Sequence, residues 1–305
     1  MRNAQATGTR EQNGGGNSAG EESGCRLRLR TVGLSNGAKP QAAVLIASFL
    51  FLMALSLMSG CTDIESRQRL NDGYRALDAQ RYDEAGAAAN DYLARHPTGP
   101  GAAEAFYLQG RAYEQRAMDS HEKPNAARSD LDSARAAYLK GLGQPASPSV
   151  AALLHSGLAN VAYFEDDFST AIREWQISYP SLQDQEAKAW VLYRIGLCEQ
   201  RMGNFAQADQ SFRDVREQYP ATEAATRAMA RVGAKAFYVQ VGSFGDLANA
   251  QKLADSLKKQ GLPGTVAQEA GNHYAVRVGP AATYADAKNM KSRVAGQYPS
   301  AMIVP

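Results

Sequence analysis

Few side chains in this sequence could do chemistry, and their spacing decides what kind. Four histidines, His96, His121, His155 and His273, fall in separate stretches with no i,i+4 pair and no cysteine nearby, so no metal site can be assembled from their spacing. Asp166-Asp167 and Glu21-Glu22 are adjacent carboxylates. Neighbours in sequence diverge on a helix, so neither pair offers the opposed carboxyl groups of glycoside hydrolysis. Cys198 lies in an apolar helical pattern and reads as a small buried thiol. Neither a Gly-rich phosphate loop nor a serine nucleophile elbow is visible. The sequence therefore reads as a binding protein without a cofactor. Near the C-terminal end Tyr238 and Gln240 alternate with Val239 and Val241, as on a half-buried strand with one face in water.

The elements that position these groups must come from 305 residues, enough for about two folded units plus appendages at roughly 150 residues per domain. The net charge of +2 argues against a generally basic nucleic-acid binder. It is unevenly spread: residues 1–60 carry +3, residues 61–230 carry −6 and residues 231–305 carry +5. The sign changes mark separate modules. Three cysteines cannot build a disulfide framework, so each module must be held by an apolar core.

Residues 1–39 are rich in Gly, Asn, Ser and Ala without apolar periodicity, and read as unfolded. Arg26, Arg28, Arg30 and Lys39 then precede an uncharged stretch, Pro40 to Thr62, with its apolar heart at Ala42 to Met58. A basic segment followed by an apolar one is the plan of a signal peptide. The stretch closes on Leu57-Met58-Ser59-Gly60-Cys61, which resembles the lipobox of bacterial lipoproteins, with Met58 where Leu is usual. The resemblance implies cleavage before Cys61, lipidation of that residue, and a mature protein tethered to the membrane by its acyl chains. Thr62, with no Asp in that place, is compatible with sorting to an outer membrane. The alternative is an uncleaved anchor, because 17 apolar residues sit at the lower limit for a span.

From Ser66 onward small residues recur. Ala134, Ala171 and Ala208 are 37 apart, and Ala85 precedes Ala134 by 37 plus 12. One helix earlier, Gly73 and Gly110 are 37 apart, Ala159 follows after 37 plus 12, and Gly196 after 37. Four residues after each alanine stands Ala89, Tyr138, Trp175 or Phe212, and three before it Tyr82, Leu131, Phe168 or Phe205. Both spacings belong to one helical face. Each unit reads as two helices, the second closed by Pro97, Pro145, Pro180 or Pro220. The extra 12 residues, around Asp119 to Asp130 with His121, Lys123 and Pro124, read as a surface loop inside unit two. Residues 66–222 resemble tetratricopeptide (TPR) repeats, most closely at Leu192, Ile195, Gly196, Phe205, Ala208, Phe212 and Pro220. The resemblance implies an all-α solenoid that receives a protein partner. Residues 61–65 read as a short tether, and 223–234 as a linker or capping helix.

After residue 234 the period changes. Phe237 to Phe244 reads as a half-buried strand; Asp246 caps a helix whose Leu247, Ala250, Leu253, Ala254 and Leu257 share a stripe. Thr265 to Glu269 and His273 to Val278 form a hairpin about Gly271-Asn272. Thr283 and Asp286 open a second helix burying Tyr284, Ala287, Met290 and Val294, and Ala301 to Val304 is a last strand. The order βαββαβ folds as an α+β, ferredoxin-like unit with both helices on one side of a four-stranded sheet. Tyr238-Val239-Gln240-Val241-Gly242-Ser243-Phe244 and Tyr274-Ala275-Val276-Arg277-Val278-Gly279-Pro280 resemble the two signature strands of the bacterial SPOR domain, over 235–305. That family binds peptidoglycan, favouring glycan strands freed of stem peptides. The resemblance implies glycan contacts at Gln240 and Ser243, with Tyr238, Arg277 and His273 beside them. Ala275 stands where the family commonly has Arg, which leaves Arg277 as the polar group of that motif. An RNA platform of similar outline is excluded, because the aromatic-rich signature is missing and export removes the ligand.

Two functions fit these modules. In one, a lipid-anchored envelope protein, facing the periplasm from the outer membrane, binds peptidoglycan through residues 235–305 and an unidentified protein through its solenoid at division or remodelling sites. In the other, the solenoid serves outer-membrane assembly and wall binding is accessory.

Overall fold

The computed structural model describes residues 64–305 except 121–123 and 270. The leader, the apolar stretch, the tether through Asp63 with Cys61, and His121 and Lys123 lie outside the described residues. Among the described residues no helix is long and apolar enough to cross a membrane.

The repeat period becomes four helix pairs: α1 (64–78) with α2 (Tyr82–Arg95), α3 (Pro100–Asp119) with α4 (Pro124–Leu142), α5 (Pro148–Phe164) with α6 (Phe168–Ser178), and α7 (Gln185–Arg201) with α8 (Phe205–Gln218). Caps set several of the starts. The Asp167 carboxylate accepts from Thr170 N, Asp184 accepts from Glu186 N and Ala187 N, and Ser147 Oγ accepts from Val150 N. Pro100 and Pro148 stand in first turns, where a missing N–H costs nothing.

The small residues are where one helix meets the aromatic residue of its partner. A Cβ on Gly110 would lie under 3.0 Å from three atoms of the Tyr138 ring, and one on Gly196 would lie 2.7 Å from Phe212 Cε1. Ala159 and Trp175 are buried together in the third pair. In the first pair Ala89 replaces the aromatic residue, and Leu108 of α3 fills the space, 2.7 Å from where a Gly73 Cβ would be. That substitute comes from the next pair, so the stacking of pairs completes a core that one pair lacks.

The expected loop at Asp119 to Asp130 is not one. Helix α3 runs to Asp119 and α4 begins at Pro124, so most of the added length extends both helices. A charge-assisted fork holds the extension: Arg116 Nε and Nη2 donate to the Asp130 carboxylate at 2.9 and 2.6 Å, and Nη1 reaches Asp83 on α2 at 2.5 Å. Pro124 opens a helix here instead of interrupting one. Beyond the last pair, α9 (Glu223–Met229) is capped by Thr222 and buries Ala224, Ala225 and Ala228 beside Phe212. It covers the end of the stack and is shorter than the stretch of helix formers suggests.

The C-terminal strands are β1 (Phe237–Phe244), β2 (Gly264–Glu269), β3 (His273–Ala281) and β4 (Met302–Val304), antiparallel in the order β2-β3-β1-β4. Helices α10 (Leu247–Lys259) and α11 (Tyr284–Val294) cover one face. There Val239, Val241, Val276 and Val278 pack with Ala250, Ala254, Leu257 and Val294. Leu247 departs from the expected stripe. It is 52% exposed, because it opens α10 ahead of the first turn that reaches the sheet.

This module is docked on the last pairs by its helix-covered side. Phe205 meets Phe237, which meets Tyr284, at ring separations of 5.5 and 5.8 Å. The Arg201 guanidinium lies over Tyr163 (4.5 Å), Tyr284 (4.6 Å) and Phe168 (5.4 Å), and Lys288 pairs with Asp166. Gly203, at φ +88, stands against the Ala282 carbonyl, where a Cβ would come within 2.9 Å. The opposite sheet face is turned away from these contacts.

Candidate functional site

That uncovered face carries the residues singled out from the sequence, and two irregularities of the ladder put them there. Strict alternation from Gln240 would send Gly242 outward and Ser243 toward the helices. The register instead shifts: Gln240 pairs with Arg277, Gly242 with Val276 and Ser243 with Ala275. Two β1 residues therefore answer one on β3, a bulge centred on Val241 that resets the phase. Gly242 turns inward, where a Cβ would stand 3.1 Å from the Phe244 ring, and Ser243 emerges exposed. The bulge thus brings Gln240 and Ser243 to one side.

The second shift lies between Phe237 and Val239, whose partners are Ala281 and Val278. Here β3 holds the additional residue, at Gly279-Pro280. Gly279 has φ +149, and a Cβ on it would collide with Tyr238 Cδ1 at 2.8 Å and crowd Phe237 O at 3.1 Å. A glycine is needed there, and its bare backbone is the floor on which the Tyr238 ring rests.

Across the face, the outward positions of β2 are Thr265, Ala267 and Glu269; those of β3 are His273, Ala275 and Arg277; those of β1 are Tyr238, Gln240 and Ser243; those of β4 are Met302 and Val304. Three strand spacings make it about 14 Å wide. His273 and Ser243 are exposed, Met302 is 54% exposed, and Tyr238, Gln240 and Arg277 are half-buried. Arg277 does not stand up from the sheet. Its Nη2 donates to Glu269 Oε1 at 3.0 Å, and Glu269 is opposite His273, four residues along β3. The side chain therefore runs over the intervening Ala275, which is wholly buried although its Cβ points outward. Ala275 thus keeps an outward position in the register while the Arg277 side chain covers it. Arg277 Nε is buried with no hydrogen-bond partner. A buried donor without a partner costs about 1–3 kcal/mol, so this guanidinium is under-satisfied on its own sheet.

The face thus offers an amide, a hydroxyl, a tyrosine ring, a thioether and a guanidinium leashed to a carboxylate. Groups of this kind suit a flat, hydroxyl- and amide-bearing chain, through hydrogen bonds and apolar contact. Glu269 and Met302 were missed in the sequence. Met302 could have been found from the alternation Met302-Ile303-Val304 about an inward Ile303; Glu269 needs the β2–β3 register. Elsewhere, Cys198 is buried and its thiol is pushed up to about 12 by loss of solvent, which suits a packing role. His155 Nδ1 lies 2.8 Å from Glu174 Oε2 on the pair α5–α6, and His96 Nε2 lies 3.1 Å from Ser66 Oγ, both remote from the sheet in sequence.

The model of the SPOR domain matches residues 233–305, and that of a tetratricopeptide repeat matches residues 190–222, the span of α7 and α8. The C-terminal module is therefore of the SPOR type, joined to a helical part with a TPR-type repeat. No curated protein matches the chain.

Proposed function

We propose that this chain is a lipid-anchored envelope protein that binds peptidoglycan glycan strands, freed of stem peptides, on the open face of its SPOR sheet and holds a protein partner on its helical pairs. A SPOR domain implies peptidoglycan binding and a TPR part implies protein interaction. The observation that carries the finer reading is the bulge at Val241, which sets Ser243 beside Gln240 on a face that the docked helices leave uncovered. A glycan lying along β1 and β3 would meet Gln240, Ser243 and Tyr238, while Arg277 exchanges its internal bond to Glu269 for one to the sugar chain. His273, at the exposed corner, is the outermost of the group.

Hydrogen bonds contribute about 1 kcal/mol net each, so the whole face supports a micromolar affinity, about −8 kcal/mol. A repeating polymer and a tethered protein raise the effective affinity. The role is binding, with no reaction assigned. Lipidation at Cys61 would place the protein in the periplasm at the outer membrane, and denuded glycan would gather it where septal wall is remodelled. Co-sedimentation with purified sacculi tests the reading: pelleting that rises after amidase treatment supports it, and pelleting that ignores the treatment contradicts it. Palmitate labelling that persists in Cys61→Ala would remove the anchor.

A further inference from the structure

The helical part contains a charge imbalance that the wall-binding face does not use. On the side where α3, α5 and α7 line up there is a cavity of about 250 Å³, with Tyr107, Leu153, Trp190 and Leu182 as its apolar walls and Arg111 and Arg194 reaching into it. None of its lining residues is acidic. The carboxylate set against the two guanidiniums is Glu114, only 1% exposed, and its oxygens are occupied. Oε1 accepts from Arg111 Nη1 (2.7 Å) and Asn160 Nδ2 (3.0 Å), and Oε2 accepts from Tyr138 Oη (2.6 Å). Arg194 is joined to this network only through Asn160, whose Oδ1 accepts from its Nη1 at 2.7 Å. Two cations share one buried anion, so the cavity keeps a positive charge in a partly desolvated, aromatic setting. The direction of each guanidinium's pKa shift agrees. Burial lowers the Arg194 guanidinium despite Glu114, whereas Arg111, which burial alone would also lower, is raised by its direct partner Glu114 and the tyrosines.

We infer that this cavity binds a carboxylate-bearing peptide segment of the solenoid's partner, its carboxylate paired with Arg194 and Arg111 and an adjacent apolar side chain seated against Trp190, Tyr107 and Leu153. The inference rests on the reading of the helical part as a protein-binding module and narrows its partner to acidic segments with bulky apolar neighbours. Arg suits the task because its planar fork meets a carboxylate with two parallel bonds, and charge-assisted bonds gain most where water is excluded.

The test uses the soluble chain from residue 64 onward and an array of dodecapeptides, each made in an acidic form and in a form with every carboxylate replaced by its amide. Acidic members with Leu, Phe or Trp beside the carboxylate should be captured at least ten-fold better than their amide twins, and capture should weaken as salt is raised. Arg194→Gln and Ser156→Glu should each weaken the best peptide at least ten-fold, in proteins shown by circular dichroism and thermal melting to be folded. Ser156 lines the cavity, so a carboxylate there would occupy the guanidiniums without removing either. Equal capture of acidic and amide peptides, or capture indifferent to Ser156→Glu, would overturn the inference and leave a peptide-binding module standing. Capture of no peptide would overturn it and remove the protein-binding reading too.

Discussion

Replacing glycine by alanine at two helical positions should change stability in opposite directions, and the structure says by how much. Alanine is the better helix former by about 0.8–1.0 kcal/mol. Gly86, within α2, has nothing inside 4 Å of where its Cβ would be, so Gly86→Ala should realise most of that gain. Gly110, within α3, faces Tyr138, which is fully buried and donates to Glu114 at 2.6 Å. Overpacking costs about 1–3 kcal/mol. Displacing the ring also weakens a bond to a charged group worth about 1.5–3 kcal/mol. With half of that bond lost, the sum less the helix gain leaves Gly110→Ala destabilised by roughly 2 kcal/mol. Urea unfolding of the chain from residue 64, with hydrogen exchange resolved on α3 and α4, separates local from global loss. An unchanged exchange pattern in Gly110→Ala, alongside a stabilised Gly86→Ala, would refute the claim that the repeated small residues mark close helix approach.

Two further outcomes follow from the packing. The Cys198 thiol ionises at about 12 when folded and near 9 when exposed, so the unfolded chain releases a proton first and stability falls as pH rises from 9 toward 12. Cys198→Ala should flatten the first part of that fall in urea titrations, and an identical pH profile would contradict the burial argument. Arg201→Ala removes a guanidinium shared by Tyr163, Phe168 and Tyr284, at roughly 0.5–2 kcal/mol for each desolvated contact. Proteolysis within residues 230–236 should then accelerate several-fold while both parts stay folded, and unaltered cleavage would mean that the aromatic clasp does not hold the modules together.

The repeat and the βαββαβ succession of elements were legible because each rests on short-range patterns. A small residue in one helix answers the position 16 residues later in the next, or 28 later where the 12 added residues intervene, and the valines of β1 and β3 alternate on schedule. What the sequence hid depends on partners distant along the chain. Leu108 replaces the missing aromatic of the first pair from a neighbouring unit. Pro124 looked like loop chemistry, yet proline at a first turn starts a helix as readily as it ends one, and the Arg116–Asp130 fork decides between these. Alternation alone misplaces Ser243, since a bulge is visible only once two strands are paired; the register puts it on the side of Gln240, the residue with which the motif had grouped it. The covering of Ala275 left no sign in the sequence because its neighbour's length and direction are tertiary facts: Arg277 lies across it to reach Glu269. The docking of the sheet module through Arg201 and Tyr284 left no periodic trace.

The central claim is that the uncovered sheet face is the glycan site, and amide shifts test it most directly. Isotope-labelled protein from residue 64 onward, titrated with glycan strands from amidase-treated wall, should show saturable shifts at Gln240, Ser243, Ala275 and Arg277 with α10 unmoved. Gln240→Ala and Ser243→Ala should each weaken the titration several-fold, in line with a lost hydrogen bond of about 1 kcal/mol. Shifts confined to α10, α11 or the helix pairs, or no shift at millimolar glycan, would contradict it.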